Sequence, residues 1–63
     1  MKYIVRLKDT NRTANVFYVR QGGLPSYEVV YSENKINRGV HFFNTQYEAV
    51  QSALLYTSEG VMK

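Results

Sequence analysis

The sequence has no cysteine, no tryptophan, a single proline and a single histidine among its 63 residues. Without cysteine, neither a disulfide nor a thiolate-bound metal can supplement the hydrophobic core. A zinc site needs about three or four protein ligands, which His41 and five scattered acidic residues do not supply. We therefore expect neither a metal nor a cofactor.

Groups for catalysis are equally scarce. His41 has no neighbouring carboxylate by spacing, and nucleophilic catalysis needs a base beside a serine, threonine or cysteine. The Gly22-Gly23 pair lacks both the Lys-Ser/Thr and the helix start that follow a phosphate-binding loop, so we interpret it as a flexible connection. A domain of this size also encloses no deep pocket easily. The sequence predicts a protein that is not an enzyme.

Long hydrophobic runs are absent as well. No segment approaches the roughly 18 consecutive apolar residues of a membrane-spanning helix. Residues 1–8 carry charges every second or third position and lack the apolar centre of a signal peptide. We expect a cytoplasmic protein that makes no membrane contact.

Apolar and aromatic residues, by contrast, are plentiful: 44% of the chain is apolar, with six tyrosines and three phenylalanines. This composition is too hydrophobic for a disordered chain, so residues 1–63 are expected to form a single small domain. A chain of about 60 residues buries only about 60% of its unfolded surface. Its core is therefore small, and a homodimer would relieve the shortage.

The segment from Thr45 to Thr57 has a helical period, and it predicts a helix over about 45–58. Thr45 and Glu48 have the spacing of a capping box, and Gly60 is placed to end the helix. The predicted packing side carries Ala49, Val50, Ala53, Leu54 and Thr57, bordered by Tyr47 and Tyr56. Leu55 points away from that side.

Four segments before the helix have the composition and alternation of β-strands, at about 2–8, 14–20, 27–32 and 40–43. The predicted fold class is α+β, a three- to four-stranded antiparallel β-meander with one C-terminal α-helix packed on one face, in the order β-β-β-β-α. The ending, an aromatic strand followed by T-x-x-E-A-x-x-x-A at residues 45–53, resembles that of many small bacterial and phage proteins. That pattern is generic and identifies no family.

Positive charge is concentrated at the start of the chain. Residues 1–20 hold five cationic residues against Asp9 alone, a balance of +4, and the remaining residues balance to −1. Strict alternation would place Lys2, Arg6 and Lys8 together with Ile4 on one face of the first strand, opposite Tyr3, Val5 and Leu7.

Cations interleaved with an aromatic ring on an open sheet are typical of a nucleic-acid platform. The candidate nucleic-acid contacts are Lys2, Arg6, Lys8, Arg12, Tyr18 and Arg20. The alternative interpretation is a solvated strand whose charges discourage edge-to-edge aggregation.

Tyrosine is also enriched at protein interfaces, because it offers a large contact area with few rotatable bonds and a polar tip. The second strand carries apolar residues on both faces, which indicates either a central strand or a contact with something else. Our first hypothesis is a small non-enzymatic binding module that acts by protein–protein contact, including a homodimer, through Ile4, Tyr18, Leu55 and Tyr56. The alternative is a nucleic-acid-binding regulator that uses the basic first hairpin.

Overall fold

Four antiparallel strands followed by one helix make up residues 2–61, the part of the chain that the computed structural model describes; side chains are described for residues 2–58. The elements are β1 (Lys2–Asp9), β2 (Arg12–Gln21), β3 (Leu24–Glu33), β4 (Ile36–Phe43) and α1 (Gln46–Val61). The strands form one sheet in the order β1-β2-β3-β4, and the helix packs on one of its faces. The predicted β-β-β-β-α fold is confirmed.

The connections are tighter and the strands longer than the sequence predicts. Two-residue turns join each pair of strands, because the ladders continue to the pairs Asp9↔Arg12, Gln21↔Leu24 and Glu33↔Ile36. Pro25 lies inside β3 rather than in a loop. It is tolerated there because the pairing with β4 begins only at Tyr27, so no strand requires a backbone donor from Pro25 on that side.

The central turn explains the paired glycines. Gly22 and Gly23 have φ angles of 60° and 82°. Two consecutive positive φ angles are the signature of the type I′ turn, whose twist matches that of the strands it joins. The pair is therefore a specific hairpin turn and not a flexible linker.

The core lies between the helix and one face of the sheet. Its fully buried members are Ala14, Val16, Val29, Ala49 and Ala53. The two helix alanines lie one turn apart, so the backbone of α1 approaches the central strands closely. Half-buried side chains surround this centre: Ile4, Val5, Leu7, Tyr27, Tyr31, Phe43 and Tyr56. Among the fully buried residues whose side chains are described, only Val16 and Val29 are larger than alanine.

The helix begins as the capping box predicts and ends slightly later. The Thr45 Oγ1 atom accepts a hydrogen bond from the backbone N–H of Glu48 at 3.2 Å, and its hydroxyl donates to Glu48 Oε1 at 3.0 Å. The helix continues to Val61, so the prediction that Gly60 ends it is wrong by one residue. Leu54, predicted on the packing side, is 43% exposed because the contact line on the sheet is narrow and follows Ala49, Ala53 and Thr57.

Both edge strands contain one extra residue. In β1, Tyr3 pairs with Phe17 and Val5 with Val16, so Ile4 has no partner on β2. In β4, Gly39 pairs with Tyr31 and Asn37 with Ser32, which leaves Arg38 as the extra residue. Such bulges disrupt the ladder locally and re-aim the side chains beside them.

Candidate interaction surfaces

The face of the sheet opposite the helix, here called the open face, carries two cross-strand rows of mostly apolar side chains. Their register follows from β2, which pairs regularly along its whole length with β3, so its odd-numbered residues point away from α1. The first row is Tyr3–Phe17–Glu28–Phe42, and the second is Arg6–Asn15–Val30–Val40, in both cases from β1 to β4.

Aromatic rings dominate the first row. The rings of Tyr3 and Phe17 are in edge-to-face contact, with centroids 5.7 Å apart. Tyr3 is 54% exposed and Phe42 is 48% exposed, because the helix covers only the opposite face of the sheet. Val40 in the second row is also exposed, and Val19 lies beside Phe17 along β2. The open face thus carries apolar side chains in both rows, interrupted by Glu28 in the first and preceded by Arg6 and Asn15 in the second. The described part of the chain does not cover it.

The predicted protein contacts do not form one surface. Ile4 and Tyr18 lie on the helix side of the sheet, where they line a groove with Lys2, Tyr27 and Gln46. Tyr3, whose ring contacts Phe17 on the open face, also borders this groove. The Tyr18 ring contacts the Tyr27 ring edge-on, with centroids 5.4 Å apart. Leu55 and Tyr56 line a separate pocket beside β4. Leu55 is 62% exposed, whereas Tyr56 is half-buried against Tyr31.

The predicted basic surface is divided between the two faces of the sheet, so the expectation that Lys2, Arg6 and Lys8 share a face is wrong. Lys2 pairs with Tyr18 on the helix side, while Arg6 and Lys8 pair with Asn15 and Thr13 on the open face. The bulge at Ile4 causes the change, because one extra residue reverses the facing of every residue before it. The same inversion brings Tyr3 to the open face.

Two further cations of the predicted set are engaged within the chain. Arg12 lies on the helix side, where Nη1 donates to the Tyr56 carbonyl oxygen at 3.0 Å and Nε is 3.7 Å from Glu33 Oε2. Arg20 donates from Nη2 to the Gly23 carbonyl oxygen at 2.9 Å and is otherwise exposed. Arg12 therefore connects the sheet to the helix, and Arg20 supports the central turn.

A second cluster of cations appears at the end of the sheet that holds the first and third turns. Here a cavity of about 230 Å³, called the basic turn cavity, has Arg6, Lys8, Asn11, Thr13, Asn34 and Lys35 among its lining residues. Asn34 N–H donates to the Asn11 carbonyl oxygen at 2.8 Å, and Asn11 Nδ2 donates to Asn34 Oδ1 at 3.0 Å. These bonds hold the two turns together and bring Lys35 to Arg6 and Lys8 of β1.

His41 lies in the same shallow pocket as Leu55 and Tyr56, of about 300 Å³, together with Arg38, Tyr31 and Ser52. The hydroxyls of Tyr31 and Ser52 share a hydrogen bond of 2.6 Å, and the His41 ring contacts Tyr31 and Phe43 edge-on. Within the described residues, His, Asp and Glu side chains form no group of three that could hold a metal ion. Nor does the described chain contain a helix of the length and apolarity needed to cross a membrane.

Sequence reasoning missed the aromatic row and the contribution of Lys35. The outward position of Phe17 and Val19 follows from the alternation of β2, and Val40 and Phe42 alternate in the same way on β4. Those two signals point to the open face once the strands are paired. The sequence gives no comparable signal for Lys35, which reaches the basic turn cavity through a turn.

Comparison with models of protein families, with curated proteins and with solved structures finds no match to this chain.

Proposed function

We propose that this chain is a small non-enzymatic binding module that acts through protein–protein contact, and that its partner is a second copy packed against the open face. The observation that carries the proposal is the row Tyr3–Phe17–Glu28–Phe42, in which Tyr3 and Phe42 are exposed and Phe17 is half-buried, together with the valines beside it. Exposed apolar side chains gathered on one face mark an interaction site in soluble proteins. The proposal includes the cytoplasmic setting that the sequence leads us to expect.

The small core supports a homodimer. One helix covers one face, and the fully buried side chains of residues 2–58 include only two larger than alanine, Val16 and Val29. Two sheets that pack face to face, about 10 Å apart, would create a second core between them. Because domains of this size are only marginally stable alone, burial of the aromatic row contributes to folding as well as to association.

The open face is large enough for such an interface. Strands of eight to ten residues, with a rise of about 3.4 Å per residue and a spacing of about 4.8 Å, give a face of roughly 30 by 19 Å. Two such faces bury on the order of 1,100 Å² together, just above the roughly 1,000 Å² expected of a specific interface.

Charge and edge geometry favour a second copy in particular. Glu28 is the one carboxylate in the open-face rows of the described residues, and Arg6 lies in the adjacent row. A two-fold symmetric pair brings one Glu28 and one Arg6 from each copy into the same interface, so the charges of these two residues balance. Association through the strand edges is disfavoured, since bulges at Ile4 and Arg38 interrupt both edges.

Sedimentation velocity over a concentration series tests the proposal. We expect the natural chain to be dimeric and Phe42→Glu to be a folded monomer, because the new carboxylate would be buried in the interface opposite that of Glu28. Leu55→Glu is the matched control, since Leu55 is similarly exposed on the helix. A strictly monomeric natural chain, or equal loss of the dimer in both variants, overturns the proposal.

A reciprocal charge exchange tests the paired ions. Arg6→Glu and Glu28→Arg should each weaken the dimer, and the double variant should restore it, because only the combination returns one charge of each sign to both copies. If the double variant loses as much dimerisation free energy as the two single variants together, Arg6 and Glu28 do not meet across the interface.

A second candidate is nucleic-acid binding, which the convergence of Arg6, Lys8 and Lys35 favours, since Arg6 also lies in the row next to the aromatic one. Cations would contact phosphates, and exposed rings would stack on bases. Fluorescence titration with single- and double-stranded oligonucleotides at two salt concentrations tests it. Binding that weakens steeply with salt and in Arg6→Glu supports this candidate, and no binding at low salt excludes it.

A further inference from the structure

The basic turn cavity has an unusual charge composition for so small a space. Arg6, Lys8 and Lys35 are among its lining residues, and no aspartate or glutamate lines it. Within the described residues, the ion pairs with carboxylates involve Arg12 and Arg38, so these three cations form none. Three like charges around one cavity repel one another, and an anion bound between them would remove that cost.

The cavity is also preorganised. The two hydrogen bonds between Asn11 and Asn34 fix the first and third turns relative to each other. Asn34 and Lys35 have φ angles of 54° and 67°, the conformation of a tight type I′ hairpin turn. Lys35 is therefore presented from a short connection, which lowers the entropy lost when a ligand is bound.

We infer that the basic turn cavity binds a phosphate group, either free or carried by a nucleic-acid backbone. Lysine and arginine are the side chains that proteins use most for phosphate oxygens, and the Thr13 hydroxyl and the Asn11 amide offer neutral hydrogen bonds at the same place. The inference does not depend on the proposed dimer, and it extends the nucleic-acid candidate by naming the residues that would hold a phosphate.

The test is a titration of the full isotope-labelled chain, followed by amide chemical shifts, at constant ionic strength. Inorganic phosphate is the first probe. We expect saturable shifts at Lys8, Asn11 and Asn34, and binding about tenfold weaker in Lys35→Asn, because one charged hydrogen bond is lost. Asparagine tolerates the positive φ of this position, so the turn is retained.

Arg20→Ala is the matched control, because Arg20 is exposed at the opposite end of the sheet. Its phosphate binding should equal that of the natural chain. Amide shifts that increase linearly with phosphate concentration and are spread over the surface overturn the inference. Equal phosphate binding by Lys35→Asn and the natural chain does so as well.

A single-stranded oligonucleotide is the second probe and separates the two sources of phosphate. If the oligonucleotide competes with inorganic phosphate and also shifts Tyr3, Phe17 and Phe42, the phosphate belongs to a nucleic-acid backbone. If it does not compete while phosphate still binds, the ligand is free phosphate. Oligonucleotide binding that leaves the cavity unperturbed, together with no phosphate binding, overturns this inference without excluding the nucleic-acid candidate. Sedimentation of the same samples reports on the dimer separately.

Discussion

The guanidinium of Arg12 lies 4.8 Å from the centroid of the Tyr56 ring, and its Nη1 donates to the backbone carbonyl oxygen of the same residue at 3.0 Å. The Tyr56 hydroxyl in turn donates to the Ser32 carbonyl oxygen at 3.0 Å. Strand β2, strand β3 and the C-terminal half of the helix are therefore joined at one place.

Removal of the Arg12 side chain should lower the free energy of unfolding by about 2 kcal/mol, the combined size of a charged hydrogen bond and a cation–π contact. Arg12→Lys should lose most of this, because lysine keeps the charge but lacks the planar donor fork. Urea unfolding at fixed protein concentration measures both changes. Arg20→Ala is the control and should cost clearly less, because its hydrogen bond to the Gly23 carbonyl oxygen is exposed to solvent. An equal loss in Arg12→Ala and Arg20→Ala would contradict the prediction.

Replacement of Gly22 in the central turn should destabilise the domain more with alanine than with asparagine. No atom lies within 4 Å of an added Cβ, so only the φ angle of 60° opposes a side chain. Gly22→Ala should therefore cost about 1–2 kcal/mol, and Gly22→Asn clearly less, because asparagine visits this conformation readily. Thermal unfolding followed by circular dichroism measures the difference. Equal losses would mean that the turn does not require positive φ at this position.

The helix cap should depend on the hydroxyl of Thr45. Thr45→Ala removes the acceptor for the Glu48 N–H and should cost about 1 kcal/mol, whereas Thr45→Ser should retain most of the stability. Chemical unfolding followed at a helix-sensitive wavelength is the measurement. A serine variant as unstable as the alanine variant would show that the threonine methyl group, and not the cap, stabilises this helix end.

The close contact between helix and sheet should make Ala53 intolerant of larger side chains. Ala53 is fully buried, so Ala53→Leu should lower the free energy of unfolding by about 1–3 kcal/mol through overpacking. Leu55→Ala, on the outer surface of the same helix, should change it by less than about 0.5 kcal/mol. If Ala53→Leu is as stable as the natural chain, the helix is free to shift away from the sheet.

The order of elements could be predicted from the sequence because it depends on local patterns. The alternation of β2 and β3 and the 3.6-residue period after Thr45 each specify an element type, and the capping box specifies where the helix begins. The strand ends could not be predicted, because a polar turn of two residues and a polar loop of five have similar compositions. Only the pairing of Asp9 with Arg12 and Glu33 with Ile36 distinguishes them.

The candidate surfaces were less predictable than the fold. A strict two-residue period placed Lys2 with Arg6 and Lys8, and Tyr3 opposite them, but one extra residue at Ile4 reversed this order. Nothing in residues 2–8 marks the bulge, because Ile4 is as good a strand residue as its neighbours.

The sequence by itself determined the element types, their order and the start of the helix, because each depends on residues within about one or two turns or strand lengths of one another. The tertiary structure decided which side chains share a face, since the bulges of β1 and β4 exist only relative to the strands they pair with. It also decided that Arg12 lies against Tyr56, 44 residues away, and that Lys35 joins Arg6 and Lys8 at one cavity. Contacts across such separations depend on strand register and on the twist of the sheet, which no local pattern encodes.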